Sequence, residues 1–297
     1  MKNGRANALL SLHLAVFLFG AAGLFARWVD APPLLIVLGR VLVATLAFSL
    51  FLLIRGWQPR RPPGDHRLMA LCGGLLAFHW FAFFTAIKAS SVALGLLSYS
   101  TAPVFVALLE PAVFPEKLST RTVAASLVSL LGVLILLEPW GGISGTWRGV
   151  SWGVLSGFSF ALLSLLNRQL VQRHDPVRVA MRQDAWAMVF LLPALPWAWS
   201  PLSWRELGLL AVLGVVCTAL AHTLFINSLK NIRASLAAMT SALEPVYGIL
   251  LALFLLGEYP SAGAVAGGAL IIIALLMAGP GEEPPASLPA DKAPVRS

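Results

Sequence analysis

The chain has 297 residues, of which 58% are hydrophobic and only 11% charged, and its formal net charge is +8. Soluble domains carry about 25% charged residues, so this chain lacks the polar surface to hold a particle of its size in water, and a soluble enzyme is not expected. A positive excess in a soluble protein would point to nucleic acid. Here Lys and Arg lie mainly in short links between apolar runs, so the lipid bilayer is the expected partner and nucleic acid is not.

Ten apolar runs, each about the length a helix needs to cross a bilayer, follow one another: 8–27, 34–54, 68–87, 92–114, 121–138, 149–170, 177–199, 205–229, 234–256 and 261–279. The expected fold is therefore an all-α membrane protein. Lys2 and Arg5 ahead of the first run also fit a cleaved signal peptide, but the repeat described below needs that run as a permanent member. Pro32 and Pro33 precede the second span, and Asp175 with Pro176 reads as an N-cap followed by proline at the first helical position. The polar, proline-rich tail 281–297 is expected to be disordered. Alternating the spans puts fifteen Lys and Arg residues on one side and four on the other, with Arg40 and Arg182 inside spans. That bias places both termini in the cytoplasm of an inner (plasma) membrane protein. Seven tryptophans (Trp28, Trp140, Trp147, Trp152, Trp197, Trp199 and Trp204) fall at outer ends and Trp57 at an inner end, where the interface holds them.

The sequence resembles itself at an offset of 142 residues: Arg40 matches Arg182, Phe83 matches Phe225, Lys88 matches Lys230, Pro103 matches Pro245 and Glu116 matches Glu258. One residue of slip earlier, Phe17, Phe19 and Arg27 match Phe158, Phe160 and Arg168. The chain thus divides into 1–142 and 143–280, with five spans each. An odd number of spans makes the second unit cross in the opposite sense, giving two inverted repeats, a plan that secondary transporters use to build two related conformations around a central site.

On these residues, and on the segments KASSVALGLLSYSTAPVFVALLEPAVFPEKLS and KNIRASLAAMTSALEPVYGILLALFLLGEYPS, the chain resembles the drug/metabolite transporter superfamily, EamA type, over about residues 8–279. The resemblance implies an exporter of amino acids or other small metabolites. In that family each half tends to carry a mid-helix proline and then a glutamate opening the link to its last span. Pro103 with Glu116, and Pro245 with Glu258, fit, and the prolines are expected to kink their helices.

Glu244 is the most informative residue. It lies roughly 15 Å along the ninth span, close to mid-membrane, where an ionisable group costs on the order of 3 kcal/mol and usually faces a cavity. It precedes Pro245, whose missing N–H leaves backbone groups free. It either binds a solute ammonium or a proton, or stabilises the kink. His79, Trp80, Tyr99, Trp186 and His222 also lie inside spans and complete a candidate solute site with aromatic walls; packing within the bundle is the alternative for each. Ser98 and Thr240 match across the repeat and are expected to bond their own helices. Gly73–Gly74 and Gly267–Gly268 read as helix contacts, and the pairs Asp65–His66 and His174–Asp175 as solvated links. Arg40 and Arg182 either gate the outer and inner mouths, Arg40 with Asp30 and Arg182 with Asp184 or Glu110, or form fixed structural pairs or snorkel to the interface. There is no phosphate-binding glycine loop and no metal-spaced Cys/His cluster, so neither ATP-driven transport nor a cofactor or metal is expected. A carrier for drugs or organic cations is the alternative reading, and a lipid-acting membrane enzyme a remote one.

Overall fold

A computed structural model of the chain describes residues 2–55, 65–114, 120–136 and 146–278. Trp57, Trp140, Glu116, the junction between the two units and the tail 281–297 lie outside the described residues. All regular elements described are helical: α1 (Lys2–Trp28), α2 (Pro33–Ile54), α3 (His66–Ala89), α4 (Val92–Tyr99), α5 (Ala102–Val113), α6 (Thr120–Leu136), α7 (Thr146–Val171), α8 (Pro176–Leu191), α9 (Leu195–Ala198), α10 (Trp204–Gly214), α11 (Ala221–Ser228), α12 (Ala234–Ser241), α13 (Glu244–Leu256) and α14 (Ala262–Ala278). A short 3₁₀ turn, Leu192–Ala194, joins α8 to α9, and a π-helical stretch, Val215–Leu220, joins α10 to α11.

Local chemistry sets the boundaries. The Asp175 carboxylate accepts from the backbone N–H groups of Val177 (3.1 Å) and Arg178 (3.3 Å), starting α8 with Pro176 at its first position. Ser203 and Glu206 form a reciprocal capping box at α10. Ser91 caps α4 through the Leu94 amide at 3.1 Å. Gly257 closes α13 at φ 67°, a left-handed conformation that glycine adopts without the penalty of a Cβ.

Seven helical stretches are long and apolar enough to cross a bilayer: Gly4–Trp28, Pro33–Ile54, His66–Ala89, Val92–Val113, Trp147–Val171, Trp204–Ser228 and Ala234–Leu256. The other three expected spans correspond to α6 and α14, of 17 residues each, and to α8–α9, interrupted at Pro193 and Pro196. Large apolar side chains such as Leu46, Leu53, Ile54, Phe254 and Leu276 face outward, as lipid rather than water requires. Trp147, Trp197, Trp199 and Trp204 are exposed at helix ends.

Packing partners exchange between the two units. α3 packs on α7 and α8, while α10, the π stretch and α11 pack on α1 and α2. α5 packs on α7 and α13 on α1. α6 lies against α14, where a Cβ on Gly132 would come within 2.8 Å of the Gly267 carbonyl. The links at Asp65 and His174 are joined rather than separately solvated, because His174 Nε2 meets Asp65 Oδ2 at 2.7 Å.

Candidate functional site

Both spans that carry the repeat-related prolines are broken. α4 ends at Tyr99 and α5 starts at Ala102; α12 ends at Ser241 and α13 starts at Glu244, which is the same pair of positions 142 residues on. Pro103 and Pro245 occupy the second position of the helix after each break, where a missing N–H removes no intrahelical bond. The break turns Glu244 from a mid-helix residue into a helix start.

The two breaks flank a cavity walled by α1, α2, α3, α4, α7, α11 and α13. His79, Trp80, Tyr99, His222 and Glu244 line it, as expected, and all five are buried. Four phenylalanines complete the wall: Phe19 and Phe160, Phe83 and Phe225. These are the aromatic pairs already in register across the repeat, so the repeat itself carried the signal that the list of polar residues missed. Ring centroids lie 5.3 Å apart for Tyr99–Phe160, for His79–Phe160 and for Phe160–Phe225. Ser98 and Thr240 donate to carbonyls of their own helices, Leu94 and Leu236.

Trp186 is not part of this wall. It is 36% exposed, its ring lies against Phe190, and its Cβ packs where Gly73 of α3 lacks a side chain. Gln183, Asp184 and Ala187 take the buried side of α8. Trp186 follows Asp184 by two residues, roughly 200° around the helix, and therefore points away.

Polar groups around the cavity are held by specific bonds. His79 Nδ1 meets the Ser156 carbonyl at 3.0 Å and the Ser156 hydroxyl at 2.9 Å. Tyr99 and Glu244 both line the cavity and are both buried. The expectation that Arg40 sits at the outer mouth with Asp30 is not met, because its guanidinium forms part of the cavity wall. Its Nε donates to Thr218 Oγ1 (2.9 Å), one Nη donates to the Cys217 carbonyl (3.1 Å), and the group lies 3.9 Å from the centre of the Trp80 ring. Thr218 and Cys217 belong to the π stretch, which no sequence signal announced. The Thr218 hydroxyl donates in turn to the Leu213 carbonyl at 2.7 Å.

Arg182 is half-buried and stands outside the cavity. Its two proposed partners are engaged elsewhere: Glu110 with Arg168 at 2.9 Å, and Asp184 near His222 at 3.8 Å. Asp184 and His222 are buried without hydrogen-bond partners among the described residues, and Gln183 Nε2 donates to Asn167 Oδ1 beside them. Among the described residues there is no cluster of His, Cys, Asp and Glu fit to hold a metal.

Two ion pairs stand at helix ends, outside the cavity lining. Arg27, in the last turn of α1, meets Glu258 at 3.0 Å and donates to the Ser90 carbonyl at 2.8 Å. Arg168, in the last turn of α7, meets Glu110 at 2.9 Å. Ser90 and Glu110 are separated by the whole length of α4–α5, so the pairs lie at opposite ends of the molecule, roughly 30 Å apart along that helix.

Membrane-length helices around an aromatic-walled cavity, with an ion pair toward each end of the molecule, fit a multi-pass membrane transporter. The chain belongs to the EamA-like transporter family, whose profile matches residues 6–138 and again residues 147–279. It is 28% identical over 278 residues to an uncharacterized transporter of Archaeoglobus fulgidus, covering 90% of this chain and 94% of that one. It is 27% identical over 276 residues to the pseudopaline exporter CntI of Pseudomonas aeruginosa (91% and 95% covered). With a probable amino-acid metabolite efflux pump of Salmonella typhimurium it shares 28% identity over 264 residues (82% and 84% covered). A solved crystal structure superposes with a TM-score of 0.74 at 20% identity, covering 93% of this chain and 98% of that one, so the fold is shared.

Proposed function

We propose that the chain is a secondary transporter exporting small metabolites, specifically neutral or aromatic amino acids, by alternating access around the central cavity. The observation that carries this reading is the Glu244 carboxylate, buried at a helix break in an aromatic-walled cavity between two tandem units of one family. A carboxylate so placed recognises a solute ammonium, and the rings accept an apolar side chain. The relatives named for amino-acid metabolite efflux and for pseudopaline export support a small polar cargo.

The two units form ten spans as two inverted five-span repeats, with boundaries near 142 and 280 and both termini cytoplasmic in the inner membrane. The matched helix breaks and the exchanged packing partners support this arrangement. The repeat-related arginines Arg27 and Arg168, rather than Arg40 and Arg182, serve as the gates: the Arg27–Glu258 pair closes the outer end and the Arg168–Glu110 pair the inner end. Both pairs are made at once, which fits an occluded state.

Counterflow in proteoliposomes tests the function. Purified protein loaded with an unlabelled amino-acid panel should accumulate the matching labelled solute without ATP. Uptake no faster than in protein-free liposomes across the panel would remove the substrate class.

A further inference from the structure

Resting on that reading, we infer that the cavity recognises a zwitterion, with Arg40 holding the solute carboxylate and Glu244 its ammonium. Arg40 and Glu244 bring a guanidinium and a carboxyl group into the wall of one cavity, both buried and not within ion-pair distance of each other. Among the described residues no carboxylate oxygen lies within 4.0 Å of Arg40. Burying an ion is expensive, and two buried ions of opposite sign gain most by closing on each other. Neutral groups hold Arg40 in place: Thr218, the Cys217 carbonyl and the Trp80 face.

The bonds fix the guanidinium's direction as well as its place. Thr218 spends its own proton on the Leu213 carbonyl, so its oxygen can only accept from Arg40. A guanidinium has five N–H donors, and these two bonds leave three for a ligand. Asp184 shares the electric field of Arg40 but stands behind the wall, beside His222 and off the cavity surface. Glu244 is therefore the carboxylate that an arriving ammonium meets.

Neither charge end binds well alone. An amine at Glu244 leaves the Arg40 charge facing the solute unpaired, and an acid at Arg40 does the same to Glu244. Only a dipolar ion satisfies both, with its side chain among Phe19, Phe83, Phe160 and Phe225.

Counterflow with matched charge forms tests this: L-phenylalanine, phenethylamine and 3-phenylpropanoate, and in parallel L-leucine, 3-methylbutylamine and 4-methylpentanoate. The wild type should carry at least one amino acid at least about tenfold faster than its amine or acid, the discrimination expected from losing one charged hydrogen bond. Arg40→Gln should lose the amino acid and gain on the amine, and Glu244→Gln should lose the amino acid and gain on the acid. The wild-type comparison stands without the variants if either misfolds. An amine or acid carried as fast as the amino acid overturns the zwitterion site and leaves the exporter standing. If none of the six moves, while another metabolite of the panel does, the zwitterion site also falls; no transport of any solute removes the exporter reading itself.

Discussion

Removing either arginine of the two terminal ion pairs should unbalance the transporter in opposite directions and by unequal amounts. Arg27 and Glu258 keep 31% and 33% side-chain exposure, so their pair contributes about 0.2–1 kcal/mol. Arg27→Gln should shift the population toward outward-open states by about fivefold at most. Arg168 and Glu110 keep only 9% each. Arg168→Gln takes from buried Glu110 the guanidinium it meets at 2.9 Å, but only while the inner end is closed, and breaking a buried pair costs about 3–5 kcal/mol. Glu110 also accepts from the Ser235 amide at 3.3 Å, which holds the expected shift at the lower end, about two decades toward inward-open. Adding Glu110→Gln to Arg168→Gln should recover much of it, because the buried carboxylate is then replaced by a neutral amide. The assay is a cysteine at Ala22 in a background lacking Cys72 and Cys217, labelled by an impermeant maleimide from each side. Equal shifts for the two variants, or shifts of the same sign, would refute the paired latches.

Other outcomes follow from single contacts. Asp175→Ala removes two bonds to the first turn of α8 and should lower stability by about 1 kcal/mol, read as a lower melting temperature in detergent. Trp186→Leu should leave the counterflow KM unchanged, whereas Phe160→Leu should raise it, because only Phe160 stands on the cavity. A cysteine at Gln58 should react with an impermeant reagent only from the cytoplasmic side, and labelling of intact cells there would reverse the topology.

The ends of the helices were written in the sequence because capping and breaking are local. Asp175, Pro176 and Pro33 start helices where they were expected to, and seven of the ten apolar runs fall on helical stretches long enough to cross a bilayer. The aromatic wall was legible through the repeat: Phe83 with Phe225, and Phe19 with Phe160. What depends on rotation about a helix axis was harder. Arg40 was expected at the outer mouth, but its direction depends on Thr218 and Trp80 from two other helices. Trp186 shows the opposite error, an aromatic counted as a site residue although Asp184 two positions earlier already marked the buried face. The π stretch left no trace, since Val215–Leu220 reads as ordinary apolar helix. The ion pair of Arg168 was missed because Glu110 is not in register with Glu258; its match is Ala252, so pairing arose separately at the two ends.

The breaks in α4–α5 and α12–α13 are each covered by a glycine from the first helix of the other unit. A Cβ on Gly157 of α7 would lie 2.7 Å from the Tyr99 carbonyl, 2.8 Å from Thr101 Oγ1 and 3.2 Å from the Ala102 nitrogen. A Cβ on Gly20 of α1 would lie 2.8 Å from the Glu244 carbonyl, 3.0 Å from the Gly248 nitrogen and 3.0 Å from Tyr247 Cβ. Backbone atoms cannot rotate aside, so an added methyl must move a helix, at about 1–3 kcal/mol for overpacking. The two glycines are one helical turn out of sequence register, because Gly20 matches Ala161 at the offset of 141. Their likeness is therefore one of geometry, close approach of a helix to a broken backbone, and not of inherited sequence position. On the proposed alternating-access reading, the broken segments shift against α1 and α7 as solute passes Glu244, and these close contacts constrain that movement. Gly20→Ala and Gly157→Ala should each lower thermal stability and slow counterflow. Gly208→Ala and Gly268→Ala, which meet nothing within 4 Å, should do neither. Counterflow rates for Gly20→Ala and Gly157→Ala equal to those of the two controls would show that the broken segments do not bear on α1 and α7 during transport.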